Sequence, residues 1–222
     1  MLVIMLILFI IRFSYMTKQM TPEETIALND TVFCIKDRFV NSYLFKSDNG
    51  YLMIDAGMKE ENVLAEMEKL GIDPASVNNL ILTHTDGDHI GATGALTNAT
   101  VWLHKEEEQM INGETAKAWF KYKWKFGEYS LLESNQLINL DGLNVKVLHT
   151  PGHTPGSCCF AINSDYLATG DNLAFSDGKY SHFFESVNMD TPMQDESIKM
   201  LPGPENFKYL LTSHGGVIET GY

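Results

Sequence analysis

The chain has 222 residues, 44% of them hydrophobic and 20% charged, which suits one globular domain and excludes disordered and collagen-like classes. Its 16 Lys and Arg against 29 Asp and Glu leave a formal net charge of -13, which disfavours binding to nucleic acid or to an anionic membrane surface. Three cysteines, two of them adjacent, do not form a disulfide framework, so we expect a reducing, cytoplasmic environment.

The chain begins with an apolar run over residues 1–11. This run has about half of the roughly 20 residues that a membrane-spanning helix needs, and it lacks the basic start and small-residue cleavage site of a secretory signal. One interpretation is a translation start assigned too early, with Met16 or Met20 as the working start. The alternative is a peripheral anchor that associates the protein with a membrane. We therefore separate residues 1–20 from a single domain over residues 21–222.

The first half of this domain has the pattern of a strand meander followed by strand–helix units. Apolar strands are predicted within residues 31–57, with an Asp-Asn-Gly turn at 48–50. Residues 58–70 carry apolar side chains at spacings of three and four and stop at a glycine, which predicts a helix. A buried strand over residues 79–83 and a further strand over 101–104, followed by an acidic helix, complete this half.

The second half again begins with strands and ends with a helix and a last strand. Asp-Gly and Asn-Ser-Asp turns separate its first strands, which favours antiparallel pairing. Strands followed by helices, twice, predict two sheets packed face to face with helices outside. The predicted strands of this half are residues 136–140, 145–148, 157–162, 166–169 and 208–212, and the predicted helix covers residues 193–201.

Four potential metal ligands lie within six residues directly after the strand predicted at 79–83. They are His84, Asp86, Asp88 and His89. A solvated turn with incidental histidines is the alternative. Buried polar groups are costly unless they are paired, however, and a loop that places imidazoles beside carboxylates at a strand end suits a hard or borderline cation.

Three later positions repeat this placement of histidine or aspartate after a strand. His153, Asp171 and His214 each follow a predicted strand and are each flanked by glycine or proline. Asp55 closes another predicted strand in the motif Ile-Asp-Ala-Gly. Repetition at strand ends indicates a site and not a chance scatter.

With these motifs in this order, the chain resembles the metallo-β-lactamase superfamily of metallohydrolases, from about residue 31 to the C-terminus. The resemblance implies an α/β fold, specifically a four-layer αββα sandwich of two mixed β-sheets, with a metal centre along one edge of the sheets. It also implies that Asp55 orients a ligand without touching metal.

The resemblance further implies two divalent metal ions, with zinc as the family's usual metal. Asp171 would bridge the two ions. The first ion would take His84, Asp86 and His153, and the second would take Asp88, His89 and His214.

Asp86 departs from the family pattern, which has histidine at this position. Carboxylate is a harder ligand than imidazole, so Asp86 makes iron or manganese an alternative to zinc. The flavodiiron branch of the superfamily similarly carries a carboxylate here, but this chain has no flavodoxin domain or flavin motif. A third aspartate also makes the cluster less positive, from which we expect a somewhat higher pH optimum.

By this resemblance the protein is a hydrolase in which dinuclear-metal-bound hydroxide attacks a small ester, thioester or lactone. Asp88 would also pass a proton to the leaving atom. The alternatives are a phosphodiesterase, an iron-dependent oxidoreductase of the same fold, and a metal-binding protein without activity. Asp171 disfavours true β-lactamase activity, because well-known β-lactamases of this fold carry Cys or Ser near that point.

A basic and aromatic stretch, residues 116–129, lies between the two halves. Lys121, Lys123 and Lys125 in this stretch suit an anionic small-molecule substrate, and His182 lies in a loop that can face substrate in relatives. The alternatives for the lysines are a solvated helix edge or single-stranded nucleic acid, although the overall charge argues against nucleic acid. The remaining histidines and cysteines match no ligand motif: His104 and His149 are expected at the surface or behind ligands, and Cys158 and Cys159 in packing.

Overall fold

The structure is a computed structural model, and it describes residue 11 and residues 14–117, 127–176 and 178–221. Two large β-sheets dominate these residues. The α-helices of residues 60–199 that the structure describes are α1 (Glu60–Lys69), α2 (Glu108–Ile111) and α3 (Thr191–Lys199). Four single 3₁₀ turns cover Pro74–Ser76, Lys105–Glu107, Glu185–Val187 and Pro204–Asn206.

The first sheet contains the first seven strands in chain order. They are β1 (Ile26–Ala27), β2 (Val32–Asp37), β3 (Val40–Lys46), β4 (Tyr51–Ile54), β5 (Val77–Ile81), β6 (Thr100–His104) and β7 (Tyr129–Leu132). Neighbours from β1 to β4 pair antiparallel, and neighbours from β4 to β7 pair parallel. The meander predicted at residues 31–57 is therefore confirmed, and the sheet is mixed.

The second sheet contains six strands of the second half. They are β8 (Leu137–Leu140), β9 (Leu143–His149), β10 (Cys158–Ile162), β11 (Tyr166–Gly170), β14 (Tyr209–Thr212) and β15 (Gly216–Glu219), in the order β15-β14-β11-β10-β9-β8. Only β11 and β14 pair parallel. A separate hairpin is formed by β12 (Ala174–Ser176) and β13 (Lys179–Ser181).

The main core lies between the two sheets. Alternate residues of β3 point to opposite sides: Tyr43 and Phe45 belong to the central cluster, whereas Leu44 packs with Val63 and Met67 of α1 on the outer face. Because both faces of β3 are covered, its burial is continuous and does not alternate. The central cluster takes Val32, Tyr43, Phe45 and Ile54 from the first sheet and Val145, Val147, Phe160 and Leu211 from the second.

The outer face of the second sheet is covered by the C-terminal helix. Ile198 of α3 packs in one cluster with Leu167 of β11, Leu210 of β14 and Phe207. The order of layers is thus helix, sheet, sheet, helix. This confirms the predicted αββα sandwich.

Several elements differ in extent from the sequence-based prediction. The strand predicted at 79–83 is β5 and ends at Ile81, because the backbone N–H of Thr83 donates to Asp55 Oδ1 (2.8 Å) instead of to a neighbouring strand. The acidic helix predicted after β6 shrinks to the single turn of α2, which Gly113 ends with a left-handed φ of 75°. The sequence pattern missed the strands β1, β7, β12, β13 and β15.

The first residues of the predicted domain are held by hydrogen bonds to later parts of the chain. The backbone N–H of Thr21 donates to His214 O (2.8 Å), and Asn41 Nδ2 donates to Glu23 O (2.8 Å). Among the residues that the structure describes, no helix combines the length and apolar character that crossing a membrane requires.

Candidate metal centre

The predicted ligands follow the ends of strands from both sheets, and the fold brings these ends to one edge. The loop after β5 carries four of them, and the loops after β9, β11 and β14 carry one each. We call His84, Asp86 and His153 the first ligand group. We call Asp88, His89 and His214 the second ligand group. Asp171 lies between the two groups.

The four histidines of the cluster share one orientation, in which Nδ1 meets an oxygen atom. In three of them that oxygen can only accept, so Nδ1 carries the proton and Nε2 keeps its lone pair. The pairs are His89 Nδ1 with Asp55 Oδ2 (2.9 Å), His153 Nδ1 with Asn188 Oδ1 (3.0 Å), His214 Nδ1 with Phe39 O (2.6 Å) and His84 Nδ1 with Thr83 Oγ1 (3.0 Å).

Asp55 links two of these histidines. Its carboxylate accepts from Thr83 N and Thr83 Oγ1 (both 2.8 Å) and from His89, while Thr83 Oγ1 in turn accepts from His84. Asp55 has a left-handed φ of 57°, a strained backbone for this residue type. Thr83 is itself closely packed against Gly170, because a Cβ at Gly170 would lie 2.5 Å from Thr83 Oγ1. Asp55 therefore orients His89 directly and His84 through Thr83.

Asp171 has one oxygen toward each ligand group. Its Oδ1 lies 3.1 Å from His214 Nε2 and 3.3 Å from His89 Nε2, and its Oδ2 lies 3.6 Å from His153 Nε2. Burial raises the pKa of Asp171, but His214 and His89 outweigh it and hold that pKa well below the usual range. The carboxylate is therefore charged, and its placement suits a bridging ligand.

The cluster fits divalent metal ions. Within the described part of the chain, His84 Nε2, His89 Nε2 and Asp171 Oδ1 are buried without a hydrogen-bond partner, which is costly unless a cation accepts their lone pairs. Imidazole and carboxylate are ligands that zinc, iron and manganese accept. Three overlapping groups have ligand atoms within 4.8 Å of one another: His84, Asp86 and His153; His84, His89 and Asp171; and Asp88, His89 and His214.

Lys117 brings a positive charge into the first ligand group, which the sequence analysis did not foresee. Its ammonium donates to Asp86 Oδ2 and lies 2.8 Å from His153 Nε2, and its side chain is only 15% exposed. Burial raises the pKa of Asp86, but Lys117, His153 and His84 together hold it well below the usual range. The Lys117 ammonium thus offsets the additional negative charge of Asp86.

Glu107 is a second residue that sequence reasoning missed. Its fully buried carboxylate accepts from Thr85 N and Thr85 Oγ1 (2.8 and 2.7 Å) and from Thr154 Oγ1 and Gly156 N (2.7 and 3.0 Å). It therefore ties the loop of His84 and Asp86 to the loop of His153. It stands in an acidic run, Glu106–Glu108, where nothing in the local pattern separates it from its neighbours.

The remaining candidates that the structure describes lie outside the cluster. His182 pairs with Asp195 (2.8 Å between Nδ1 and Oδ1), and Lys121, Lys123 and Lys125 lie outside the described residues. Of the two positions expected for His104, the surface is wrong: its side chain is 1% exposed, and its ring stacks on that of His149 with the ring centroids 3.9 Å apart. Cys158 and Cys159 are fully buried, as expected for packing, and burial raises the pKa of Cys159 to about 12.

Comparison with known proteins places this cluster in a family. A family model described as the metallo-beta-lactamase superfamily matches residues 35–206. The probable metallo-hydrolase YqgX of Bacillus subtilis is 26% identical over 183 residues, covering 79% of this chain and 84% of that protein. The hydroxyacylglutathione hydrolase GloC of Haemophilus influenzae is 23% identical over 194 residues, covering 81% of this chain and 87% of that protein.

Solved structures show the same fold. A metallo-beta-lactamase family protein of Thermus thermophilus superposes with a TM-score of 0.67 at 19% identity, covering 87% of this chain and 76% of that chain. The family match spans β2 to the last 3₁₀ turn and therefore most of the sandwich and six of the seven predicted ligands. The chain thus belongs to the metallo-beta-lactamase superfamily and is a metal-dependent hydrolase of that fold.

Proposed function

We propose that the protein hydrolyses a small ester, thioester or lactone, with two divalent metal ions held by the first and second ligand groups. The observation that carries this proposal is the position of Asp171, whose two oxygens face different groups across short distances. A carboxylate between two sets of imidazole ligands is suited to a dinuclear centre. The relative GloC is named for a hydrolysis of hydroxyacylglutathione, which supports an acyl substrate.

When bound, two such ions would supply a hydroxide nucleophile at near-neutral pH and polarise the acyl oxygen. The residues of the chain orient and charge the site around them. Asp55, Asn188 and the Phe39 carbonyl hold histidine rings with Nε2 toward the cluster, so little reorganisation is needed when substrate arrives.

Asp88 is suited to proton transfer because it is the second-group residue with the greatest access. Its side chain is 22% exposed, and its Oδ2 lies 3.6 Å from His214 Nε2. In the net reaction water adds to the acyl carbon, and the C–O or C–S bond to the leaving group breaks. The departing alcohol or thiol takes a proton, which Asp88 can deliver.

The test combines metal analysis with a substrate panel. Protein purified without added metal is analysed for zinc, iron and manganese, then assayed on thioesters, lactones and phosphodiesters with each metal restored. We expect two metal equivalents per chain and turnover of an acyl substrate that a chelator abolishes. Asp171→Asn should lose turnover, whereas Asp165→Asn, the same change at a surface aspartate paired with Lys208, should keep it.

Two outcomes would contradict the proposal. Two bound metals with turnover of phosphodiesters alone would assign a phosphodiesterase. Iron with redox-dependent absorbance and no hydrolysis of any acyl substrate would assign an oxidoreductase of the same fold.

A further inference from the structure

A cavity of about 570 Å³ adjoins the second ligand group. This volume lies within the range of about 300–1,000 Å³ typical of small-molecule sites. The wall next to the cluster is His214, and other parts come from the β12–β13 hairpin and the residues that follow it. The cavity therefore begins at a predicted metal ligand.

Aromatic rings continue from that ligand into the cavity. The Phe183 ring stacks on the His214 ring, with centroids 5.1 Å apart and planes 16° apart, and Phe184 packs edge-on against Phe183 at 4.7 Å. Phe175 of β12 adds a third ring to the lining. A substrate whose reacting carbon lies at the cluster would thus meet an apolar wall immediately beside it.

The other walls combine apolar and polar residues. Leu173, which is 1% exposed, contributes to the lining together with Ile218 and Met20. Met20 belongs to the segment that the sequence analysis separates from the domain, and the hydrogen bond from Thr21 N to His214 O holds that segment against the site.

The charge of the lining does not favour anions, since His182, a further histidine of the lining, is paired with Asp195. None of the described residues that line the cavity is lysine or arginine, and Glu185 contributes a carboxylate. A carboxylate or phosphate group placed here would meet a negative charge without a lysine or arginine from these residues to pair with, which is unfavourable. A neutral, apolar group gains instead from burial against the aromatic rings.

We propose that this cavity binds the acyl chain of the substrate, and that the protein prefers neutral medium-length acyl groups over short ones. The inference rests on the proposed acyl hydrolysis, because it places the acyl carbon at the cluster and the chain along Phe183 into the cavity. Ala174 of β12, a half-buried residue of the lining, is the position at which a larger side chain would fill this space.

The test measures kcat/KM on p-nitrophenyl esters from acetate to decanoate with the metal-loaded protein. We expect kcat/KM to rise about threefold per added methylene until the cavity is full. Ala174→Phe should lower kcat/KM on octanoate by about tenfold or more and kcat/KM on acetate by a smaller factor. Ala27→Phe, the same change at an exposed alanine of β1, should keep the full chain-length profile.

A binding measurement separates failure of this inference from failure of the proposed function. Calorimetric titration of octanol needs no turnover, and we expect binding with a negative heat-capacity change that Ala174→Phe abolishes and Phe175→Ala weakens. Octanol binding without hydrolysis of any ester would leave the apolar site standing and remove the proposed reaction. Hydrolysis with a flat chain-length profile, or octanol binding that Ala174→Phe does not alter, would overturn the inference.

Discussion

The two ligand groups of the cluster are similar in composition but differ in what surrounds them. Each has two histidines and one aspartate, and in each of them Nδ1 atoms are held by oxygen acceptors. The first group has an ammonium, Lys117, in direct contact with Asp86 and His153. The second group has no such contact among the described residues, and it meets the Phe183 ring and the cavity instead.

The Lys117 ammonium places a positive charge close to the first metal position and not to the second. Two unit charges about 4 Å apart near a protein surface interact by roughly 4 kcal/mol, so an ammonium beside a metal position opposes the binding of a dication there. The second group has the Asp88 carboxylate without an equivalent cation in contact among the described residues. We therefore expect the second group to bind metal more tightly than the first, although the matching ligand types would suggest equal sites.

The largest effect is expected where the two groups meet. Asp171→Ala removes the carboxylate that faces both, so at least one metal equivalent should be lost and kcat should fall by about a thousandfold, since metal-ion catalysis supplies several kcal/mol. Elemental analysis and steady-state kinetics on the same sample check this. Two metals retained with near-normal turnover would show that Asp171 does not join the groups.

The next effect tests the residues that orient each group separately. Asp55→Asn should weaken metal binding by the second group by about 10–100-fold, because the amide no longer holds the His89 ring as a carboxylate does. Its effect on the first group should be smaller, because His84 reaches Asp55 only through Thr83. Glu107→Gln should act mainly on the first group, since Glu107 ties its two loops together. Stepwise dissociation constants from competition with a chromophoric chelator measure both.

Two further variants assign each of the two metal-binding steps to one ligand group. His214→Ala removes a second-group ligand, and His153→Ala removes a first-group ligand, so each should delete one step of the titration. Equal weakening of both steps by Asp55→Asn and by Glu107→Gln would mean that the two groups are not supported independently.

Removing the charge of Lys117 should have a smaller effect of opposite sign, because it should strengthen metal binding. Lys117→Met keeps most of the length of the side chain and removes its charge, so the first group should bind metal about tenfold more tightly or better. Lys105→Met is the matched control, because Lys105 forms an exposed ion pair with Glu133 away from the cluster. An unchanged or weaker first-group step in Lys117→Met would show that the ammonium does not compete with metal.

The smallest effect concerns Asp86 and its metal preference. Asp86→His supplies the family's usual ligand but leaves the Lys117 ammonium without its carboxylate partner, so it should weaken metal binding by the first group unless Lys117→Met is added. The double variant should prefer zinc over iron or manganese and move the acidic limb of the pH–rate profile to lower pH by a fraction of a unit. A strictly additive double-mutant cycle would show that the two residues act independently.

The sequence by itself determined the candidate ligands and the type of fold. Four ligand residues in six positions after one strand, and single ligands after three later strands, are local patterns, and strand ends of packed sheets meet at one edge. The strands β2–β6 and the helix α1 were likewise predicted to within a few residues, because their burial follows from apolar spacing along the chain. The expectation that Asp55 supports the ligands came from the same motif order.

Only the tertiary structure decided which other side chains act on the cluster. Lys117 reaches Asp86 across 31 positions, Glu107 reaches Thr154 across 47, and Phe183 stacks on His214 from the segment after a hairpin that sequence patterning missed. The sequence around a single lysine or glutamate does not show whether its side chain is solvated or buried. Its burial and its partners depend on how distant loops pack. The pairing of Asp86 with Lys117, and with it the charge of the first ligand group, is therefore a property of the fold.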